Sequence, residues 1–219
     1  MPFIPLRLGL RRRWPVWVGG LVLPWAVFAG LAVAVVRTGR VRFDQPVLLF
    51  GHRHASPLLD KLAVCLTFVG NTWPMIGVSA AVFAGLLRRR EKRAAWLFAA
   101  SVGGSMLLTQ VIKRLVARPR PDLWVSIRPE HTHSFPSGHA MDTAALAAAL
   151  YYLWWQRPGR GWVWTLAPLF ALSVGWARVY LGVHNPSDVL AGWAGAVGWV
   201  TLVHLLARPE PGAGPTLPQ

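Results

Sequence analysis

The sequence predicts an all-α polytopic membrane protein with six transmembrane helices and an additional interfacial helix. Three observations carry that prediction. Of 219 residues, 54% are hydrophobic and only 14% are charged. The mean hydropathy is +0.40. The apolar residues gather into six stretches, most of them near the about 20 residues that a bilayer-spanning helix requires. A soluble domain of this length carries more charge.

The elements follow in order. Trp14 to Val36 holds no charged residue and predicts a helix over about 14–36. The basic lead Arg11-Arg12-Arg13 resembles the start of a signal peptide, but the run of 23 residues exceeds an ordinary signal core, so it reads as an uncleaved span. The segment 43–71 is mixed, with Asp44, His52, Arg53, His54, Asp60 and Lys61 among apolar residues. Within it, 57–68 reads as an interfacial or partly inserted helix. Uncharged runs then predict helices over about 72–88, 94–115, 138–156, 161–179 and 187–207. The fourth and fifth spans are short by charge counting, so their ends carry polar residues into the interface or a site. Residues 1–208 read as one membrane-embedded domain, with its motifs between 113 and 188. The tail 209–219, rich in proline and glycine, reads as disordered.

Trp14, Trp154, Trp155 and Trp162 fall near span ends, as in an aromatic belt. The formal charge of +15 is divided among loops between spans. Anionic headgroups and phosphates are therefore the expected partners, and nucleic acid is not. Cys65 is the only cysteine, which excludes an intrachain disulfide; it reads as a small buried residue. Placing the loop Arg88-Arg89-Arg90-Glu91-Lys92-Arg93 in the cytoplasm follows the positive-inside rule, although the basic residues divide almost evenly between the two sides.

Three polar clusters then fall on one membrane face. Lys113 to Pro121 ends the third span, Ser134 to His139 opens the fourth, and Arg178 to Asp188 joins the fifth to the sixth. A phosphoryl group spreads negative charge over its oxygens and needs fixed positive donors. Lys113, Arg120 and Arg178 supply them. Ser137 and Gly138 sit where backbone amides at a helix start bind anions, and Ser137 can cap that helix. Asn185 fits an N-cap, Pro186 the first helical position, and Asp188 the third. From there Asp188 can reach back to His184 and fix its tautomer, freeing the other ring nitrogen as a nucleophile. His139 can protonate the leaving oxygen and later activate water. Singly, the cations read equally well as interfacial anchors, His139 as a cap and His184 as a structural histidine; their joint spacing favours a site. Asp142 pairs with a site cation or makes a structural polar contact. Arg114, Arg118, Asp122, Arg128, Glu130, His131 and His133 read by default as a solvated outer loop. His204 reads as structural. His52 and His54 lack a third metal ligand.

The pattern resembles the type 2 phosphatidic acid phosphatase family, which also includes vanadium haloperoxidases. It comprises Lys113, then Arg120-Pro121; Pro136-Ser137-Gly138-His139; and Arg178, His184 and Asp188. Ala177 stands where the family usually has Ser. The resemblance implies a lipid phosphatase that uses no metal or other cofactor, with His184 as nucleophile. Its expected substrate is a lipid phosphate or diphosphate, an isoprenyl diphosphate such as undecaprenyl diphosphate first, with phosphatidylglycerophosphate, phosphatidate or a sphingoid phosphate as alternatives. The expected location is a bacterial inner membrane with the site on the extracytoplasmic face. A vanadate-dependent oxidase and a non-catalytic lipid-phosphate binder are the competing classes. Six spans argue against the first. The intact pair of histidines argues against the second.

Overall fold

The computed structural model describes residues 14, 16–154, 159 and 161–207. Regular structure among them is entirely helical. The helices are α1 (Val18–Thr38), α2 (Asp44–Arg53), α3 (Pro57–Val69), α4 (Thr72–Arg88), α5 (Lys92–Val116), α6 (Gly138–Trp154), α7 (Val163–Tyr180) and α8 (Pro186–Leu206). The helix expected over 57–68 is present as α3. The short α2 was not legible in the mixed segment, because its apolar positions form no long run.

Local chemistry sets the boundaries. Gly39, at φ 67°, ends α1 in a left-handed cap whose N–H donates to Val35 O at 2.8 Å. Ser56 Oγ caps α3 by accepting from Leu59 N at 3.4 Å, with Pro57 in the first turn. Asn71 Oδ1 caps α4 through Trp73 N at 3.3 Å.

α1, α5 and α8 are long and apolar enough to cross a bilayer by length and composition, and α3 with α4 makes a fourth if that pair, bent by 48°, is one span. The described parts of α6 and α7 fall outside that set. α6 has 17 residues and carries His139, Asp142 and Thr143; α7 carries Arg178 near its end. Polar site residues thus occupy length that lipid-facing residues take elsewhere. The tail 209–219 and Trp155 lie outside the described residues.

α6 is the central helix. Small and apolar residues surround it, and its buried set runs round the whole helix: Ala140, Met141, Ala144, Ala145, Leu146 and Ala149. It packs against α5, α7 and α8, while α8 also packs on α1 and α3 on α7. Gly192 of α8 permits one close approach to the backbone of its neighbour. A Cβ there would lie 2.8 Å from the Ser137 carbonyl oxygen, so glycine lets the start of α6 rest on α8. Many large apolar side chains point outward, among them Leu58, Phe68, Trp73, Leu107 and Leu115, as expected of a lipid-facing exterior. Cys65 belongs with them. It is exposed, not buried as expected, because Ala63 and Thr67 form the packed face of α3.

Candidate active site

The end of α5, the start of α6, the end of α7 and the start of α8 meet at one end of the bundle. Successive helices alternate in direction, so Lys113, His139, Arg178 and Asp188 are brought together. Ser137 N donates to Asp188 O at 3.0 Å, which ties the α6 start to the α8 start. His139 lies within electrostatic range of Lys113, Arg120, Arg178 and His184. The two imidazoles therefore share one side of the bundle.

His184 sits in the turn between α7 and α8. Gly182 makes that turn possible with φ 69°, and Trp124 packs so closely that a Cβ on Gly182 would lie 2.5 Å from its ring. The His184 ring is 1% exposed. Arg120 Nη1 lies 3.1 Å from Nε2. A guanidinium can only donate, so Nε2 is the lone-pair nitrogen and the proton of the neutral ring is on Nδ1. Burial pushes the His184 pKa well below its ordinary value, and Arg178, Arg120 and Lys113 push the same way.

Asp188 occupies the third helical position and its Oδ2 accepts from Asn185 N at 2.8 Å, as the spacing predicts. The expected hydrogen bond to His184 is not formed: Nδ1 and Oδ2 are 3.7 Å apart. Both carboxylate oxygens are otherwise engaged. Arg118 Nη1 donates to Oδ1 at 2.5 Å, and Ser134 Oγ donates to Oδ2 at 2.5 Å.

Arg118 corrects a second expectation. It is not a solvated loop residue but is 5% exposed. Besides Asp188, it donates to Ser187 Oγ at 2.8 Å and, from Nη2, to Asp44 Oδ2 at 2.9 Å. Asp44 in turn accepts from the Ser187 amide at 2.9 Å and the Ser187 hydroxyl at 2.7 Å. A buried Asp44–Arg118–Asp188 chain thus clamps the His184 turn to α2.

The cationic cradle contains Arg178, 0% exposed, with Arg120 and Lys113 beside it. Six buried polar atoms of the site have no hydrogen-bond partner among the described residues: Ser137 Oγ, His139 Nε2, Asp142 Oδ1, His184 Nδ1, Arg178 Nε and Arg178 Nη1. Ser137 therefore does not cap α6 through its side chain as expected. An unsatisfied buried donor costs about 1–3 kcal/mol, and a tetrahedral oxyanion suits the donors of this set. Gly138 lies beside Lys113: a Cβ there would be 3.8 Å from Nζ, an ordinary contact, so packing within the protein does not demand glycine.

Glu130 overturns a further expectation. Its carboxylate lies in the cradle, with Oε1 2.8 Å from Arg178 Nη2 and Oε2 3.9 Å from Arg120 Nη2. Partial burial raises the Glu130 pKa, but Arg178, Arg120 and Lys113 outweigh burial and hold it below the ordinary carboxylate range. Thr132 completes the contact. Its Oγ1 accepts from Lys113 at 3.3 Å and from Arg120 Nη2 at 2.9 Å, and its carbonyl accepts from Arg120 Nε at 2.6 Å. Asp142 makes a polar contact by accepting from Thr72 Oγ1 at 3.3 Å. Ala177 is fully buried in an apolar cluster with Ala63, Tyr180, Leu181 and Val183.

Residues 94–210 match the sequence pattern described as the PAP2 superfamily. The chain belongs to that superfamily. It is therefore a phosphatase. It is 32% identical to phosphatidylglycerophosphatase B of Bacillus subtilis over 77% of this chain and 85% of the relative. It is also 32% identical to an undecaprenyl-diphosphatase of Sulfolobus acidocaldarius, over 62% of this chain and 64% of the relative. The crystal structure of the transmembrane PAP2-type phosphatidylglycerolphosphate phosphatase of Bacillus subtilis superposes with a TM-score of 0.75 at 28% identity, covering 84% of this chain and 94% of the other. Lys113, His139, Arg178 and His184 lie in the matched span, but Asp44 of the clamp lies outside it.

Proposed function

We propose that this PAP2 protein hydrolyses a lipid phosphate or diphosphate through a phosphohistidine intermediate. The observation that carries the reading is the meeting of Arg178, Arg120 and Lys113 with His139 and a His184 whose Nε2 holds a lone pair.

In the first step the Nε2 lone pair attacks phosphorus. The bond from that phosphorus to the leaving oxygen breaks (the ester oxygen of a phosphomonoester or the bridging oxygen of a diphosphate), that oxygen keeps the electron pair, and His139, protonated once the bound phosphate offsets the three cations, gives it a proton. The ring of His184 becomes cationic, and Asp188, near Nδ1, offsets the charge. In the second step His139 takes a proton from water, the water oxygen attacks phosphorus, and the electrons of the N–P bond return to Nε2. Inorganic phosphate leaves. Arg178, Arg120 and Lys113 hold the equatorial oxygens throughout.

Six crossings complete the reading: α1, α4, α5, α6, α7 and α8, with α3 as the interfacial or partly inserted helix. The basic loop Arg88–Arg93 faces the cytoplasm and the site faces the opposite, extracytoplasmic side of a bacterial inner membrane. An isoprenyl diphosphate is the favoured substrate, in line with the undecaprenyl-diphosphatase relative. Phosphatidylglycerophosphate is the second reading, and the relative covered over 85% of its length favours it. Phosphate release from purified protein in EDTA, across undecaprenyl diphosphate, phosphatidylglycerophosphate and phosphatidate, tests both. Turnover of none of them overturns the enzyme reading.

A further inference from the structure

The mechanism assigns no task to Glu130, yet its carboxylate rests on the guanidinium that should hold the phosphate. We infer that Glu130 is a specificity-determining residue, an internal anion that occupies the cradle and must be displaced by the substrate phosphate. This rests on the proposed phosphatase reading and deepens it.

The geometry supports displacement. Glu130 sits in the stretch 117–137, which has no regular helix, and its side chain is 24% exposed, so it can leave to water. Arg178 is fully buried and cannot follow it. The same stretch holds Arg120 over the nucleophile: Thr132 accepts from Nε and Nη2, while Nη1 reaches His184 Nε2. Release of Glu130 and Thr132 therefore frees Arg178 Nη2 and Lys113, while Arg120 Nη1 stays tethered to the Val183 carbonyl at 2.6 Å.

Charge then decides which anion enters. A phosphodiester of an ordinary membrane lipid carries one negative charge. Exchanging it for the Glu130 carboxylate leaves the Coulomb balance near zero. A phosphomonoester or diphosphate end carries more charge, and the exchange becomes favourable. Glu130 thus screens out the diesters that surround the protein in a bilayer.

The test compares wild type with Glu130→Gln as full-length protein in detergent, using radiolabelled inorganic phosphate in equilibrium dialysis. The Gln variant should bind phosphate on the order of tenfold more tightly, since it lacks a charge-assisted competitor. Phosphatidylglycerol micelles should inhibit its turnover competitively while leaving wild type unaffected. Equal or weaker phosphate binding by the variant overturns the inference. A wild-type measurement covers poor folding of the variant: saturating phosphate should speed amide exchange across 122–133, and unchanged exchange also overturns it. Tighter phosphate binding without hydrolysis of any lipid phosphate keeps the inference and defeats the phosphatase reading.

Discussion

Arg120 Nη1 donates to His184 Nε2 across 3.1 Å. The contact identifies the nitrogen that carries the lone pair; in the proposed mechanism Arg120 must turn to the phosphate before that lone pair reacts.

His184→Ala should abolish turnover while phosphate still binds the three cations. His139→Ala should slow turnover by about 100- to 10,000-fold, the range of general acid–base catalysis. Brief incubation of His139→Ala with labelled substrate should leave label on His184. Unchanged turnover in His184→Ala would refute the covalent mechanism.

The pH profile follows from burial of His184. Its folded pKa lies well below 6.5. The unfolded chain then binds more protons than the native one between those two values. The stability linked to this group is present above 6.5 and is lost as pH falls through the window below it. The nucleophile stays unprotonated over the same range. Once the substrate's own ionisation near about 6 is divided out, the acid limb of kcat/KM should fall well below 6.5. A limb at 6.5 contradicts the buried neutral imidazole.

Arg118→Met should destabilise strongly, because it strands the Asp44 and Asp188 carboxylates in the interior. Removing one partner of a buried ion pair costs about 3–5 kcal/mol, or roughly 10 °C in the unfolding midpoint of a chain this size. Turnover should drop on the order of 100-fold as the His184 turn loses its clamp. A thermal melt in detergent with wild-type kinetics alongside decides it; an unchanged midpoint removes the clamp from the account.

Gly192→Ala places a methyl 2.8 Å from the Ser137 carbonyl oxygen. The helices must part by some tenths of an ångström, at about 1–3 kcal/mol. Because that contact sets His139 against the α8 start, kcat should fall more than KM rises. An effect on KM alone would separate the helix contact from the chemistry.

The cations, both histidines and Asp188 were legible because each sits at a helix end, where apolar runs stop and spacing is fixed. What remained hidden was tertiary. Asp44 and Arg118 are 74 positions apart and nothing in either neighbourhood marks the pair. Glu130 and Thr132 lie in a stretch without periodicity, so the sequence offered only a solvated loop. Cys65 was misplaced for another reason. In a lipid-facing helix an apolar residue is as much at home outside as inside, so hydrophobicity no longer reports burial.

The Asp44–Arg118 bridge has a consequence for engineering. The superfamily match begins at residue 94, yet the guanidinium that steadies the His184 turn is also bonded to a carboxylate 50 positions upstream of that border. A chimera that grafts only the matched segment onto a foreign front half would keep the Arg118–Asp188 pair but leave Arg118 Nη2 and the Ser187 amide without the acceptor that Asp44 provides. Domain shuffling in this protein must therefore carry the short helix at 44–53 along with the core, however little that helix resembles a functional element on its own.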